Sequence, residues 1–319
     1  MKTTFLRKIA LVAALAAGVC TGAQAAGLAL HMGGDGSIKQ YNDFGTWLGK
    51  SVMYRVTFVD DSSWSTISTP YFLSSATKPW LASNANRHEI ITVPLMPITG
   101  NQAMLQEVAD GKYDSYFKTL AGYLNTKTGA PQRIIVRLGW ELNGKWYPWS
   151  AVGYAAQYKA AYRHVVQVMR SQCNVLRFEW NLSWGANPKF DWTTAYPGDD
   201  VVDVMGMDTY DQYNSGWSNM LNAYEGLAFF RNFAHQHGKS EAYTEWSDST
   251  QPSPSGRGDD TAYIQGMYNW LQAGGTNVLY AGYWNTPSGG PNGVIYSDST
   301  SYKITVPNSS ALYKKLFSH

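Results

Sequence analysis

One short run of the chain concentrates reactive side chains: Arg137-Leu-Gly-Trp140-Glu141-Leu-Asn143-Gly-Lys-Trp146-Tyr147-Pro-Trp149. It leaves a strand-like apolar stretch, Ile134-Ile135-Val136, and ends among aromatic rings. A carboxylate can move protons. Large rings stack on the apolar faces of pyranoses. Together they are what cleavage of a sugar–sugar bond needs. A second glutamate, Glu245, ends another apolar run in Ala242-Tyr-Thr-Glu245-Trp246, 104 residues further on. Arg137, four residues before Glu141, can hold a carboxylate ionised by its charge. Cleavage with retention needs two carboxyls ~5–5.5 Å apart, one as acid/base and one as nucleophile, in environments that separate their pKa values.

The elements that must bring two such distant residues together are legible as alternating runs. Strands are expected at Leu28–His31, Val52–Val59, Ile90–Leu95, Ile134–Leu138, Leu176–Leu182, Val201–Met207, Ala242–Glu245 and Val278–Trp284. Most are β-branched or continuously apolar, as expected of parallel strands covered on both faces. Helices are expected from a Ser150 cap to Gln172, and over 110–128, 220–238, 259–274 and 308–317, while residues 60–87 are too polar to assign. This order predicts an α/β fold, a (β/α)8 TIM barrel in one domain spanning 27–319. Reactive groups of such a barrel sit at the C-terminal strand ends. Glu141 and Glu245 then end strands four and seven, which face each other across the mouth.

Tyr210, after strand six, is placed to donate its hydroxyl to Glu245, and Asp208 lies beside it. Trp146, Trp149, Trp184 and Trp284 follow strand ends and are expected at the mouth. His31 ends the first strand and is the histidine expected near the site. Asp203, inside an apolar run, reads as a buried acceptor.

Residues 1–26 read as a signal peptide. Lys2, Arg7 and Lys8 precede an apolar stretch from Ile9 to Val19, and Ala23-Gln24-Ala25 supplies a small-x-small cleavage site. An exported protein, periplasmic or extracellular, is expected. Without the leader, 22 basic residues face 23 acidic ones, a net charge near −1. That balance gives no electrostatic case for nucleic acid or anionic membranes. Cys173 is the one remaining cysteine and has no intramolecular partner. The histidines lack ligand spacing and no Gly-rich phosphate loop follows a strand, so no metal or organic cofactor is expected, and no G-x-S-x-G elbow is present to anchor a Ser-His-Asp triad. The expected partner is a polysaccharide or oligosaccharide, bound by a monomer. The reading from another class is a non-catalytic carbohydrate-binding protein on the same barrel.

Arg137…Glu141-x-Asn143-Gly144-x-Trp146-Tyr147-Pro148-Trp149, then Asp203-x-x-Gly206-x-Asp208-x-Tyr210-Asp211, then Glu245 and Trp284, resemble glycoside hydrolase family 26 in order and spacing across roughly residues 130–285. That family is best known for endo-β-1,4-mannanases. The resemblance implies a retaining double displacement, with Glu141 as acid/base, Glu245 as nucleophile and Tyr210 supporting the nucleophile. Trp284 matches the aromatic under the sugar to be cleaved, and Trp146 one lining the leaving-group side. Arg137, Trp140, Asn143, Trp149, Trp184, Asp208 and His31 complete the expected substrate contacts. Two positions depart from the pattern. Trp140 stands where the mannanases usually have histidine, and Trp184-Gly185-Ala186-Asn187 replaces the usual Ser-Pro-Asn. An indole does not replace an imidazole in proton handling. The expected substrate therefore ranges over β-mannan, mixed-linkage β-glucan, β-xylan or a bacterial exopolysaccharide.

Overall fold

The structure is a computed structural model, and it describes residues 26–318 apart from 35, 253, 288–289 and 299–301. Positions 1–25 of the expected leader lie outside the described residues. Eight parallel strands close into a barrel in sequence order: β1 Gly27–His31, β2 Tyr54–Phe58, β3 His88–Val93, β4 Ile134–Leu138, β5 Arg177–Ser183, β6 Val204–Asp208, β7 Ser240–Trp246 and β8 Val278–Trp284, with β8 pairing back onto β1. All eight expected runs are strands, displaced by a few residues at their ends.

Among the described residues ten helices clothe the barrel: α1 Ile38–Leu48, α2 Trp64–Ser68, α3 Lys78–Ala82, α4 Met104–Ala109, α5 Asp114–Lys127, α6 Ala155–Gln172, α7 Gly216–Asn222, α8 Leu227–Gln236, α9 Thr261–Gly274 and α10 Pro307–Phe317. The unassigned 60–87 segment holds α2, a π-helical turn and α3. Two expectations are corrected. Ser150 does not cap α6: its hydroxyl accepts from the Val152 amide, and the helix begins only after a turn at Gly153. The single helix expected over 220–238 is two. Glu225 takes a left-handed φ of 63°, which breaks the chain between α7 and α8. The 259–274 helix is capped as its sequence suggests, with the Asp260 carboxylate accepting from the Ala262 and Tyr263 amides.

Side chains alternate across each strand. Ala29, Val56, Ile90, Ile135, Val204, Ala242 and Tyr280, from seven of the strands, form one apolar cluster. Contact between opposite strands identifies this cluster as the floor of the barrel interior. Two residues further along the same inward rows come Arg137, Gly206 and Thr244, with Glu179 and Asn181 from β5. This polar layer sits on an apolar floor. Above it lie His31, Phe58 and Trp284, mutually packed at the mouth.

The pairing of β7 with β8 slips at the level of the polar layer. Tyr243 faces Ala281 but Trp246 faces Tyr283, so three steps of β7 match two of β8. This β-bulge turns two consecutive residues inward. Thr244 donates to Glu179, and Glu245 meets Arg137. Trp246 then returns to the outer layer against Tyr263 and Tyr283. The bulge needs an empty position opposite it: a methyl group on Gly282 would lie 2.3 Å from the Thr244 carbonyl oxygen.

Gly282→Ala is therefore expected to cost roughly 1–3 kcal/mol of stability and to displace Glu245. Thermal unfolding followed by circular dichroism measures the cost, and an unchanged transition would contradict this account of the bulge.

Candidate active site

Arg137 is the hub of the mouth. It is 0% exposed, so its guanidinium has no water to solvate it. One terminal nitrogen donates to Glu245, and the other to Asp208 and, at 2.9 Å, to Asn181 Oδ1. Glu179 approaches its Nε at 3.8 Å. Burial alone would lower the guanidinium's pKa. The negative charges of Asp208, Glu245 and Glu179 outweigh it and raise the pKa well above the ordinary value. One cation faces three acids, and the surplus shows on the other two. Burial pushes Asp208 well above the carboxylate range, against Arg137's attraction and with help from Glu245 and Glu141. Burial likewise raises Glu179, which is held by hydrogen bonds from Thr244, Tyr280 and Asn181.

Glu245, turned inward by the bulge, presents one carboxylate oxygen to Arg137 and receives the Tyr210 hydroxyl on the other. Tyr210 is positioned by backbone on both sides. The Thr209 amide donates to the Glu245 carbonyl at 2.8 Å, and the Thr209 carbonyl accepts from Tyr263 of α9. Burial and the Glu245 charge both raise the Tyr210 pKa, so the phenol remains a donor.

Glu141 follows β4 through a sharp turn and adopts φ 50°. The left-handed region costs a non-glycine residue about 1–2 kcal/mol. The same Asn181 Oδ1 that accepts from Arg137 takes the Glu141 amide at 3.0 Å and anchors the turn. One asparagine thus ties the two glutamates into a single frame. The Glu141 carboxyl is pushed up to about 7, first by burial and then by the negative charge of Glu245. Arg137, Ser183 and the Trp146 indole oppose that rise. The indole donates to Glu141 Oε2 at 2.7 Å while its ring stays 47% exposed.

The other expected contacts divide. Trp284 stacks on His31 with centroids 4.0 Å apart, and meets Tyr210 edge-on at 6.4 Å. His31 Nδ1 faces the Val56 carbonyl at 3.1 Å, and burial lowers its pKa. Trp184 walls a cavity with Tyr213. Trp140 packs among Phe58, Tyr147 and Trp149 as part of an aromatic wall. Four expected substrate contacts are placed elsewhere. Arg137 and Asp208 lie beneath the mouth and bind each other. Trp149 is 0% exposed, with its N–H on the Trp140 carbonyl at 2.9 Å. Asn143 directs both amide atoms at the Ser183 backbone, each at 2.8 Å, and clips the β4 loop to β5. Asp203 accepts from the Phe178 amide and from Arg170, as a structural acceptor does, but it is half-buried rather than buried as expected.

Asn181 was not anticipated. The signal lay in β5 itself, where polar Arg177, Glu179, Asn181 and Ser183 alternate with apolar residues, so that Glu179 and Asn181 share one face. Phe58 and Tyr213 gave no such signal, since an aromatic at a strand end or in a loop is common in any core. Among the described residues no group of three or more His, Cys, Asp or Glu side chains could hold a metal ion, and no helix is long and apolar enough to cross a membrane.

The chain is 32% identical over 177 residues to a mannan endo-1,4-beta-mannosidase of Bifidobacterium adolescentis, covering 51% of this chain and 18% of that protein. It is 27% identical over 173 residues to endoglucanase H of Acetivibrio thermocellus, covering 47% of this chain and 18% of that protein. The chain thus spans less than a fifth of these two relatives. In fold, it superposes on the catalytic domain of a Bacillus sp. JAMB-750 family 26 endo-beta-1,4-mannanase with TM-score 0.64 at 16% identity, covering 92% of this chain and 87% of that one. It also matches the YdhT protein from Bacillus subtilis with TM-score 0.63 at 15% identity, covering 92% of this chain and 85% of that one. At such identities the likeness is one of fold. The family model of glycosyl hydrolase family 26 matches residues 102–244, which contain Arg137, Glu141, Asn181, Asp208 and Tyr210. Over that segment, from α4 through most of β7, the sequence is similar to that family.

Proposed function

We propose that the protein is an exported, endo-acting, retaining β-glycanase that needs no cofactor. The observation that carries the reading is the asymmetry of its two mouth carboxyls. Glu245 forms an ion pair with Arg137 and accepts from Tyr210, as a nucleophile must. Glu141 feels the Glu245 charge and is pushed up to about 7, where it can give a proton at neutral pH. Glu245 attacks the anomeric carbon while Glu141 protonates the departing glycosidic oxygen. The bond between sugars breaks and a glycosyl ester of Glu245 forms. Glu141, now ionised, takes a proton from water as the water's oxygen attacks the same carbon, and the free sugar and the Glu245 carboxylate are regenerated.

His31 with Trp284 offers an apolar platform on one side of the pair, and exposed Trp146 another on the Glu141 side. The relatives bear the names of mannosidases and an endoglucanase, which supports a β-1,4-linked hexose polymer, β-mannan or β-glucan, ahead of xylan. Trp140 donates its indole N–H to the Tyr147 hydroxyl within the aromatic wall, so it does not distinguish these two. Export rests on the basic, apolar and small-x-small order of residues 1–26.

Glu245→Ala is expected to abolish turnover. Added azide should restore part of it by forming a glycosyl azide of inverted anomeric configuration, identified by proton magnetic resonance. Full activity without azide would remove Glu245 from the chemistry.

Glu141 acts in its protonated form, and its raised pKa keeps it protonated up to about 7. Turnover of a polysaccharide is therefore expected to fall above that pH. Glu141→Ala should damage substrates with poor leaving groups by at least about a hundredfold, while activated aryl glycosides lose far less. Equal losses on both, from steady-state rates, would deny Glu141 the role of acid.

A further inference from the structure

A cavity of about 410 Å³ opens beside Glu141, between the chain after β5 and the chain after β6. Asn143, Ser183 and Trp184 form one wall, and Tyr213, Tyr224 and Glu225 belong to the other. It adjoins the candidate acid directly. Ser183 hydrogen-bonds Glu141, and the Tyr213 phenol is raised by burial and by the Glu141 charge.

The second wall is held under strain. The described chain has five non-glycine residues at positive φ, and three of them, Tyr213, Asn214 and Glu225, lie in the segment bordering this cavity; a fourth is Glu141. Such conformations cluster at ligand clamps. Gly185 leaves room for the Tyr213 ring, which would lie 2.8 Å from a methyl group there. The Glu225 turn that interrupts α7 and α8 delivers its side chain to the cavity. Glu225 is 8% exposed, and its Oε1 is buried without a hydrogen-bond partner. Burial, then the charge of Asp191, push its carboxyl up to about 7. No lysine, arginine or histidine is among the described residues lining the cavity. A buried acceptor without a partner costs about 1–3 kcal/mol, and a ligand that supplies donors recovers it.

We propose that this cavity takes one sugar unit on the leaving-group side, that Glu225 accepts hydroxyl hydrogens from that unit, and that an uncharged sugar is thereby selected over a uronic acid. The inference rests on the glycanase reading above, because Glu141 defines which side is the leaving-group side. Trp184 and Tyr213 supply apolar faces for the ring, and the Glu225 carboxyl supplies direction. A uronate in the same place would set a second acidic group beside the Glu225 carboxyl, with no lysine, arginine or histidine among the described lining residues to balance it. Acidic exopolysaccharides are disfavoured, and neutral β-1,4-linked hexose polymers are preferred.

The test compares wild type, Glu225→Gln and Trp184→Ala on three substrates. These are a neutral β-1,4-linked hexasaccharide, the same hexasaccharide oxidised to uronic acids at C6, and a short aryl glycoside with no sugar on the leaving-group side. Glu225→Gln is expected to lower kcat/KM on the neutral hexasaccharide about tenfold and to leave the aryl glycoside within about twofold. The oxidised substrate should be poor for wild type and improve with Glu225→Gln. Equal effects on hexasaccharide and aryl glycoside, or equal use of neutral and oxidised hexasaccharides by wild type, would overturn the cavity's role while leaving the glycanase reading intact. Wild type inactive on every substrate would instead remove the glycanase reading. Quenching of tryptophan fluorescence by the neutral hexasaccharide would then decide the cavity alone, and no difference in quenching between wild type and Trp184→Ala would end it.

Discussion

The structure depends on one buried cation. Arg137 stands inside the barrel with no exposure to water and with Glu245, Asp208 and Glu179 around it. Each of these charges loses several kcal/mol of hydration on burial, and mutual attraction returns that only with close geometry and full hydrogen bonding. An apolar filling of the same volume would be as stable or more so. A polar layer at this height is therefore a functional expense of the fold. The apolar floor below it, drawn from seven strands, supplies the burial that tolerates it.

Two glycines and a bulge make the geometry possible. Gly206 stands where any side chain would collide with Glu179 and Asn181, and Gly282 stands where any side chain would collide with the β7 bulge. Without the extra residue in β7, strand alternation would send either Thr244 or Glu245 outward. With it, Thr244 reaches Glu179 while its neighbour reaches Arg137. The nucleophile candidate owes its direction to backbone irregularity rather than to its place in a regular strand.

This explains what could be read from the sequence and what could not. Strands β1 to β8 were legible because parallel strands under helices are apolar on both faces, and such runs stand out. The placement of Glu141, Glu245 and Tyr210 at one mouth was legible because barrel topology sends strand ends to one face. The roles of Arg137 and Asp208 were misplaced from binding to support, because a charged residue in the pattern looks like a substrate contact until its burial is known. The α7–α8 break was hidden for a related reason. The run 220–238 keeps helical periodicity, and a tight local turn at Glu225 and Gly226 interrupts it: a side chain on Gly226 would strike the Met220 carbonyl at 2.6 Å. Trp149 and Trp146 are three residues apart and chemically identical, yet one is core and the other the exposed partner of Glu141. Only the fold of the loop separates them.

The frame built by Arg137 and Asn181 also gives the two glutamates a way to alternate. Glu141 is raised chiefly by burial, and next by the negative charge of Glu245, while Arg137, Ser183 and Trp146 pull it down. In the proposed double displacement, Glu245 becomes a neutral ester once it has bonded to the sugar. One of the two raising causes then vanishes and every opposing cause remains. Arg137, relieved of one of its partners, no longer has its charge balanced by Glu245, and its attraction for the Glu141 carboxylate increases. Glu141 must fall in pKa at the step where it has just lost its proton and must next accept one from water. The residue that is an acid while Glu245 is charged becomes an ionised base while Glu245 is esterified. The coupling runs through Coulomb attraction and one shared asparagine, so it needs no movement of the barrel.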